Sequence, residues 1–290
     1  MISYISRSAR KGVHDGMAPR LGVSGSTILS DGALLEELFW DGIDHIEIGE
    51  FANEDDFARF LALREKHAVT FGVHAPLFRS QSKNDLLQKI VFEPNVAWEQ
   101  LEQNAARLSA LGAEYLLVHY PYLNEIPGNA DELIHEGLVR LAEIQQKYSI
   151  AIICEPKLGF HKSPAGIEQF DHTPVQWWQN IGGLCMDVGD LLIAKGDALM
   201  STLTRWKPHI KVVHLHHVHH QPDGKYWWIP MHPSHETDGI HTPLGDVVKF
   251  LSDCTDVTFI FEHTPHSEPA SQFVREGFEW IKDLTGQSAK

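Results

Sequence analysis

YLLVHYPYLNEIPGNADELIHEGLVRLAEIQQKYSIAIICEP, residues 115–156, is the stretch on which the fold turns. Its ends, YLLVHY (115–120) and IAIICEP (150–156), are short and nearly continuous in apolar character. Strands buried on both faces read this way, whereas a strand with one wet face alternates. Between them, DELIHEGLVRLAEIQQKYS (131–149) is the clearest amphipathic helix of the chain. A helix joining two fully buried strands is the unit of a parallel sheet.

The same unit recurs on both sides. Apolar runs occur at LGVSG (21–25), HIEIGE (45–50), VTFGVH (69–74), GLCMDVG (183–189), IKVVHLHH (210–217) and VTFIFEH (257–263). Helical periodicity marks LLEELFWDG (34–42), DDFARFLALREKH (55–67), WEQLEQNAARLSALGA (98–113), GDVVKFLSD (245–253) and ASQFVREGFEWIKDL (270–284), with Gly112 as a stop signal. Eight strands alternating with helices predict an α/β protein, a single (β/α)8 TIM barrel. A doubly wound sheet would carry a glycine-rich phosphate loop after an early strand, and no GxGxxG follows any strand here. Residues 1–18 are expected to form an N-terminal arm and residues 19–290 the barrel domain. The segment 218–244, rich in Pro, His and Trp, is expected to be a long irregular loop of functional importance.

The 290 residues hold 39 acids against 24 bases, a net charge of -15, which argues against a broad nucleic-acid-binding face. A small molecule is the expected partner. No apolar run approaches the roughly 20 residues that span a bilayer, and the first residues lack the apolar stretch of a signal peptide. The cytoplasm is therefore the expected location. Cys154, Cys185 and Cys254 lie in or beside apolar segments and read as reduced core residues.

The 19 histidines matter less by number than by place. In a parallel barrel the C-terminal strand ends converge on one mouth. The third strand ends at His74, the fourth at His119 and the fifth at Glu155. The sixth ends at Asp187, with Asp190 three residues on. The seventh carries His214 and His216, with Asp238 and His241 in the loop beyond. The eighth ends at Glu262. Neutral imidazole mixed with carboxylate is the donor set of Zn, Mn or Fe sites. A structural reading competes at single positions: Asp187 also suits a helix N-cap. Trp227 and Trp228 read either as an apolar wall over a substrate or as staples of their loop. His217, His219 and His220 read as a solvated or substrate-facing loop, and His161, His172, His232 and His235 have no strand-end placement.

The order HAP (74–76), VHYP (118–121), EPK (155–157), DVGD (187–190), HLHH (214–217), DGIHTPLG (238–245) and EHTP (262–265) resembles the strand-end series of the xylose isomerase-like barrel superfamily. That superfamily includes endonuclease IV-type phosphodiesterases and the sugar isomerases and epimerases. The resemblance runs from about residue 20 to residue 284. It implies a core metal site of Glu155, Asp187, His214 and Glu262, with His216 replacing His214 if HLHH slides by two. It implies a second metal on His74 and His119, bridged by Glu155. A third would take Asp238 and His241 with a histidine three residues after Asp187, where this chain has Asp190. The implied cofactors are two or three divalent ions, Zn, Mn or Fe.

Two reactions follow from the resemblance. One is metal-dependent hydrolysis of a small phosphoester, with Lys157, Arg79 and Lys225 as phosphate contacts. It is placed slightly ahead, because His74 and His119 are superfluous to a single-metal isomerase. The alternative is isomerisation or epimerisation of a sugar or sugar phosphate, with Glu155 and Glu262 as the catalytic acid/base pair. A barrel that only stores or senses metal is the reading from a different class.

Overall fold

A computed structural model describes residues 19–222, 224–254 and 256–287. The expected arm at 1–18 lies outside them. The strands are β1 (Arg20–Ser24), β2 (His45–Glu47), β3 (Thr70–His74), β4 (Tyr115–Tyr122), β5 (Ala151–Lys157), β6 (Gly183–Asp187), β7 (Ile210–Leu215), β8 (His217–His220), β9 (Tyr226–Ile229) and β10 (Thr258–Phe261). Eight pair in parallel and close in the order β1-β10-β7-β6-β5-β4-β3-β2, while β8 and β9 form a separate antiparallel hairpin. The helices are α1 (Glu54–His67), α2 (Pro94–Ala110), α3 (Ala130–Tyr148), α4 (Ala165–His172), α5 (Val188–Lys195), α6 (Leu199–Trp206), α7 (Gly245–Ser252) and α8 (Ser271–Leu284). The chain is a single (β/α)8 barrel. Among the described residues no helix is long and apolar enough to cross a membrane.

Local chemistry explains the elements. Asn53 caps α1 by accepting from the Asp56 N–H, with three acids in the first turn and three bases in the last to match the helix dipole. In α3, Ile134, Leu138, Leu141 and Ile144 form the buried stripe. Pro94 opens α2, where a missing N–H costs nothing.

Three expectations change. LLEELFWDG winds as a 3-10 helix over Gly32–Leu38, capped by Asp31 on the Ala33 N–H, instead of a full α-helix. HIEIGE ends as a strand at Glu47. Gly49 then crosses the end of β3 so closely that a Cβ would stand 1.8 Å from the His74 carbonyl oxygen. The segment 218–244 is not irregular throughout: its first half is the β8–β9 hairpin, and Pro233–Glu236 is a 3-10 turn.

Strand alternation sorts the core into two parts. Tyr115, Leu117, Ile153, Cys185, Val212 and Ile260 pack as a small cluster of their own. Their neighbours one residue along, among them Leu116, Ile152, Leu184, Val213 and Phe259, belong to the large core shared with the helices. The small cluster therefore lines the barrel interior. Counting on by twos along the same face reaches His119, Glu155, Lys157, Asp187, His214 and Glu262. The candidate site is thus the last inward layer before the mouth.

The loop between β3 and α2 is organised by buried Asp85. Its Oδ1 accepts from the N–H groups of Ile90, Val91 and Phe92 at 2.6, 2.5 and 2.8 Å, and its Oδ2 accepts from Ser82 Oγ at 2.7 Å. These donors hold the Asp85 carboxyl below the usual range although burial alone would raise it. Replacing Asp85 by Ala leaves the donors unpaired and is expected to cost about 1–3 kcal/mol, read as a lower midpoint in urea unfolding.

Candidate metal centre at the barrel mouth

His45, Glu47, Glu155, Asp187, His214 and His216 are fully buried, and Asp190, His119 and Glu262 nearly so. Such a density of carboxylates inside a protein requires positive charge. Part of it comes from the chain itself. Lys157 Nζ lies 2.7 Å from Glu155 Oε1, 2.6 Å from Asp187 Oδ2 and 3.2 Å from Asp190 Oδ2. Burial works against the ammonium, but these three carboxylates raise its pKa well above the ordinary lysine value. Burial likewise pushes Glu155 up, and Lys157 and His214 more than reverse it. Asp190 keeps the opposite balance: burial and the neighbouring Asp187 push it up to about 7. The expectation that Lys157 is a phosphate contact is corrected accordingly, since its ammonium is held among three carboxylates.

Glu155 is the hub. Its Oε2 faces His74 Nε2 at 3.2 Å and His119 Nε2 at 3.5 Å. The far nitrogens of both rings are engaged. His74 Nδ1 donates to the Ala75 carbonyl at 3.1 Å, and His119 Nδ1 to Asn84 Oδ1 at 2.6 Å. Burial pushes His119 well below the ordinary histidine value, so its ring is neutral and presents a lone pair to a carboxylate oxygen. Two acceptors facing each other are satisfied by a cation between them.

The second strand supplies a residue that the strand-end reading missed. Glu47 Oε1 accepts from His214 Nε2 at 2.8 Å, and its Oε2 accepts from the Tyr115 hydroxyl at 2.8 Å. Tyr115 is joined in turn to His45 Nε2 at 3.0 Å, and His45 Nδ1 to Thr70 Oγ1 at 2.7 Å. The signal was present in HIEIGE, where polar His45 and Glu47 alternate with isoleucines on the inward phase. Glu47 fixes the His214 ring so that Nδ1 looks up, 2.8 Å from Glu262 Oε2 and 3.7 Å from Glu155 Oε1. Neither His214 Nδ1 nor Glu262 Oε2 makes a hydrogen bond in this geometry. Two donors at about 2.0–2.2 Å from one ion stand roughly 3 Å apart. The pair therefore fits a shared divalent cation.

His216 also belongs to the mouth, with Nε2 2.9 Å from Asp187 Oδ1. Its ring stacks on Trp228 at 4.8 Å, and Trp228 stacks on Tyr226 at 4.2 Å. Gly189 leaves room for it: a Cβ there would meet His216 Cε1 at 2.3 Å. Both strand-seven histidines thus face carboxylates, His214 those of Glu155 and Glu262, His216 that of Asp187. Asp187 serves as the N-cap of α5 as well, accepting from the Asp190 N–H at 2.8 Å.

The residues proposed for a third metal fall into two sets. Asp190 contacts Lys157 and the Leu158 N–H. Asp238 Oδ2 lies 2.6 Å from His241 Nδ1, and these two group with His235. Arg79, expected at a phosphate, donates instead to the carbonyls of Glu50, Leu29 and Ser30. With Lys83 it lines a cleft of about 420 Å³ that opens beside His74 and Glu262 and is edged by Ser24, Ser26 and Ser30. Lys225 stands at the turn end of the hairpin, its carbonyl accepting from the Gln221 N–H.

The model of the family described as "Xylose isomerase-like TIM barrel" matches residues 35–284. The chain belongs to the xylose isomerase-like TIM barrel family. No curated protein matches it in sequence. Among solved structures of this fold, a D-tagatose 3-epimerase-like protein is 18% identical with a TM-score of 0.63, covering 91% of this chain and 98% of that one. A xylose isomerase-like TIM barrel protein from Mycobacterium smegmatis, in complex with magnesium, is 11% identical with a TM-score of 0.62, covering 95% and 99%. D-psicose 3-epimerase in the presence of D-fructose is 13% identical with a TM-score of 0.61, covering 92% and 99%. At these identities the likeness shows the barrel, and xylose isomerase-like barrels share that scaffold across differing sites.

Proposed function

We propose that this barrel is a divalent-metal-dependent isomerase or epimerase of a sugar-like hydroxy-carbonyl compound. The observation that carries the reading is the meeting of Glu155 and Glu262 at His214 Nδ1, two carboxylates trained on one point at the foot of an open cleft. Glu155, Asp187, Glu262 and the histidines His214 and His216 would hold the cation. When bound, it would polarise the substrate's carbonyl and neighbouring hydroxyl oxygens and so acidify the carbon between them. Glu155, kept ionised by Lys157 and the surrounding imidazoles, takes the proton from that carbon. Glu262 delivers a proton to the opposite face. The cycle ends with the roles of the two carboxyls exchanged, and water in the cleft resets them. The serine-edged cleft, with Lys83 and Arg79 on its wall, suits a polyhydroxylated molecule. The epimerases among the structures sharing this fold agree with the reading.

The choice falls on the isomerase side because Lys157 already supplies one positive charge among Glu155, Asp187 and Asp190, and because Asp238 and His241 group with His235. One observation favours phosphoester hydrolysis: both His74 and His119 face Glu155 Oε2, as a second, bridged cation would require. The experiment that separates the two is incubation with a panel of ketoses in heavy water with added Mn(II) or Zn(II). The expected result is exchange of a carbon-bound hydrogen next to the carbonyl, followed by NMR and abolished by a chelator. No exchange across the panel, with metal-dependent release of alcohol from phosphodiesters, would overturn it.

A further inference from the structure

We propose that the histidines behind the β8–β9 hairpin form a separate cation site, with His217, His235 and His241 as its imidazole donors and Asp238 as the carboxylate that holds His241. The site would take a divalent transition ion of the zinc type and is distinct from the centre at the barrel mouth. The separation follows from strand geometry. His216 and His217 are consecutive in an extended chain, so their side chains leave on opposite sides. His216 faces Asp187. His217 faces away from it, toward the loop that follows the hairpin.

That loop brings the other donors. The ring centres of His217 and His235 are 4.6 Å apart, those of His235 and His241 4.3 Å, and those of His217 and His241 5.7 Å. An imidazole bound to zinc has its ring centre roughly 3 Å from the ion, so three in tetrahedral array stand roughly 5 Å apart. The triangle matches that size before any ion is added. Two atoms point to an ion independently: His217 Nε2 and His235 Nδ1 are buried and make no hydrogen bond. His241 is already oriented as a ligand, since Nδ1 is held by Asp238 Oδ2 at 2.6 Å, which turns Nε2 toward the hairpin. Asp238 is itself fixed, its Oδ1 accepting from the N–H groups of Ile240 and His241 at 2.8 and 2.9 Å. His219 lies on the same face of β8 as His217, with Nδ1 3.4 Å from His241 Nε2, and can close the fourth side. The ion would pin the loop over 233–241 to the hairpin and so hold Trp228 against His216.

The test is zinc stoichiometry of the full-length protein after stripping with chelator and reloading with Zn(II). Wild type is compared with His235→Ala, the double variant His217→Ala/His235→Ala, Asp238→Asn and Glu262→Gln. The two histidine variants are expected to lose one equivalent per chain, while Glu262→Gln keeps that equivalent. Asp238→Asn is expected to weaken it by about 10–100-fold. Because a histidine variant could misfold, Co(II) is titrated into stripped wild-type protein as a second measurement. The intense visible absorption of a four-coordinate ion should appear in wild type and persist in Glu262→Gln, and its absence from both overturns the proposal. Equal zinc content in wild type and the folded histidine variants, or loss of all zinc in Glu262→Gln alone, overturns the proposal.

Discussion

Glu262→Gln is expected to lower the rate of epimer formation by about 10²–10⁴-fold, the range set by the loss of one positioned acid or base. The substitution keeps the size of the side chain and removes its capacity to exchange a proton. Glu262 is suited to such a test because it faces both ways. Its Oε2 lies against His214 Nδ1 below, and the residue lines the cleft that opens to solvent above. Glu155, by contrast, also carries Lys157, His74 and His119, so its replacement would disturb the whole layer. The measurement is the initial rate on whichever ketose wild type exchanges, with folding checked by thermal unfolding. A variant that retains activity within a few-fold would remove Glu262 from the chemistry, and with it the paired-carboxylate reading.

The second large effect concerns Lys157. Lys157→Met takes the ammonium from three carboxylates at once, and breaking a buried ion pair by removing one partner costs about 3–5 kcal/mol. That loss is expected in denaturant unfolding at neutral pH with chelator present. Two recoveries should follow. A divalent cation restores part of the stability, because it supplies charge where the ammonium stood. Acid restores part as well, and the sign can be worked out. Asp190 is already pushed up to about 7 by burial and Asp187. Without the lysine, the native carboxylates bind protons at a pH where unfolded ones, with pKa values of about 3.9–4.3, do not. Stability then rises as the pH falls from 7 toward 5. Wild type, with Lys157 in place, should show neither recovery to the same extent. A variant as stable as wild type in chelator would mean that the carboxylates do not depend on this cation.

Much of this arrangement was legible in the chain. Strands three to eight declare themselves because a His, Asp or Glu ends a run that is otherwise mostly apolar. His74, His119, Glu155, Asp187, His214 and Glu262 could therefore be named from spacing alone. Glu47 escaped because HIEIGE reads as one strand through Glu50, and only the close passage of Gly49 over β3 shows that it stops earlier. Two residues beyond Glu155 on the same face, Lys157 had to enter the site, but nothing in EPK says that three carboxylates await it. His217 and His235 are hidden from a sequence reading for a different reason. Their approach depends on a hairpin turning back the chain after HVHH, signalled only by the aspartate–glycine pair before YWWI. Contacts made by tertiary folding of a loop leave little trace in local pattern.

The bond from His214 to Glu47 joins β7 to β2 across the interior of the barrel, and Tyr115 and His45 continue beneath it. The floor is thereby sealed with paired polar groups above a plug of Leu117, Ile153, Val212 and Ile260. Molecules reach the carboxylates from one side alone and must leave by the same door. Product that resembles substrate will therefore queue for the place it has just vacated. Product that still carries the substrate's polar groups would compete with it, as product-inhibition kinetics on the epimerase reading would show.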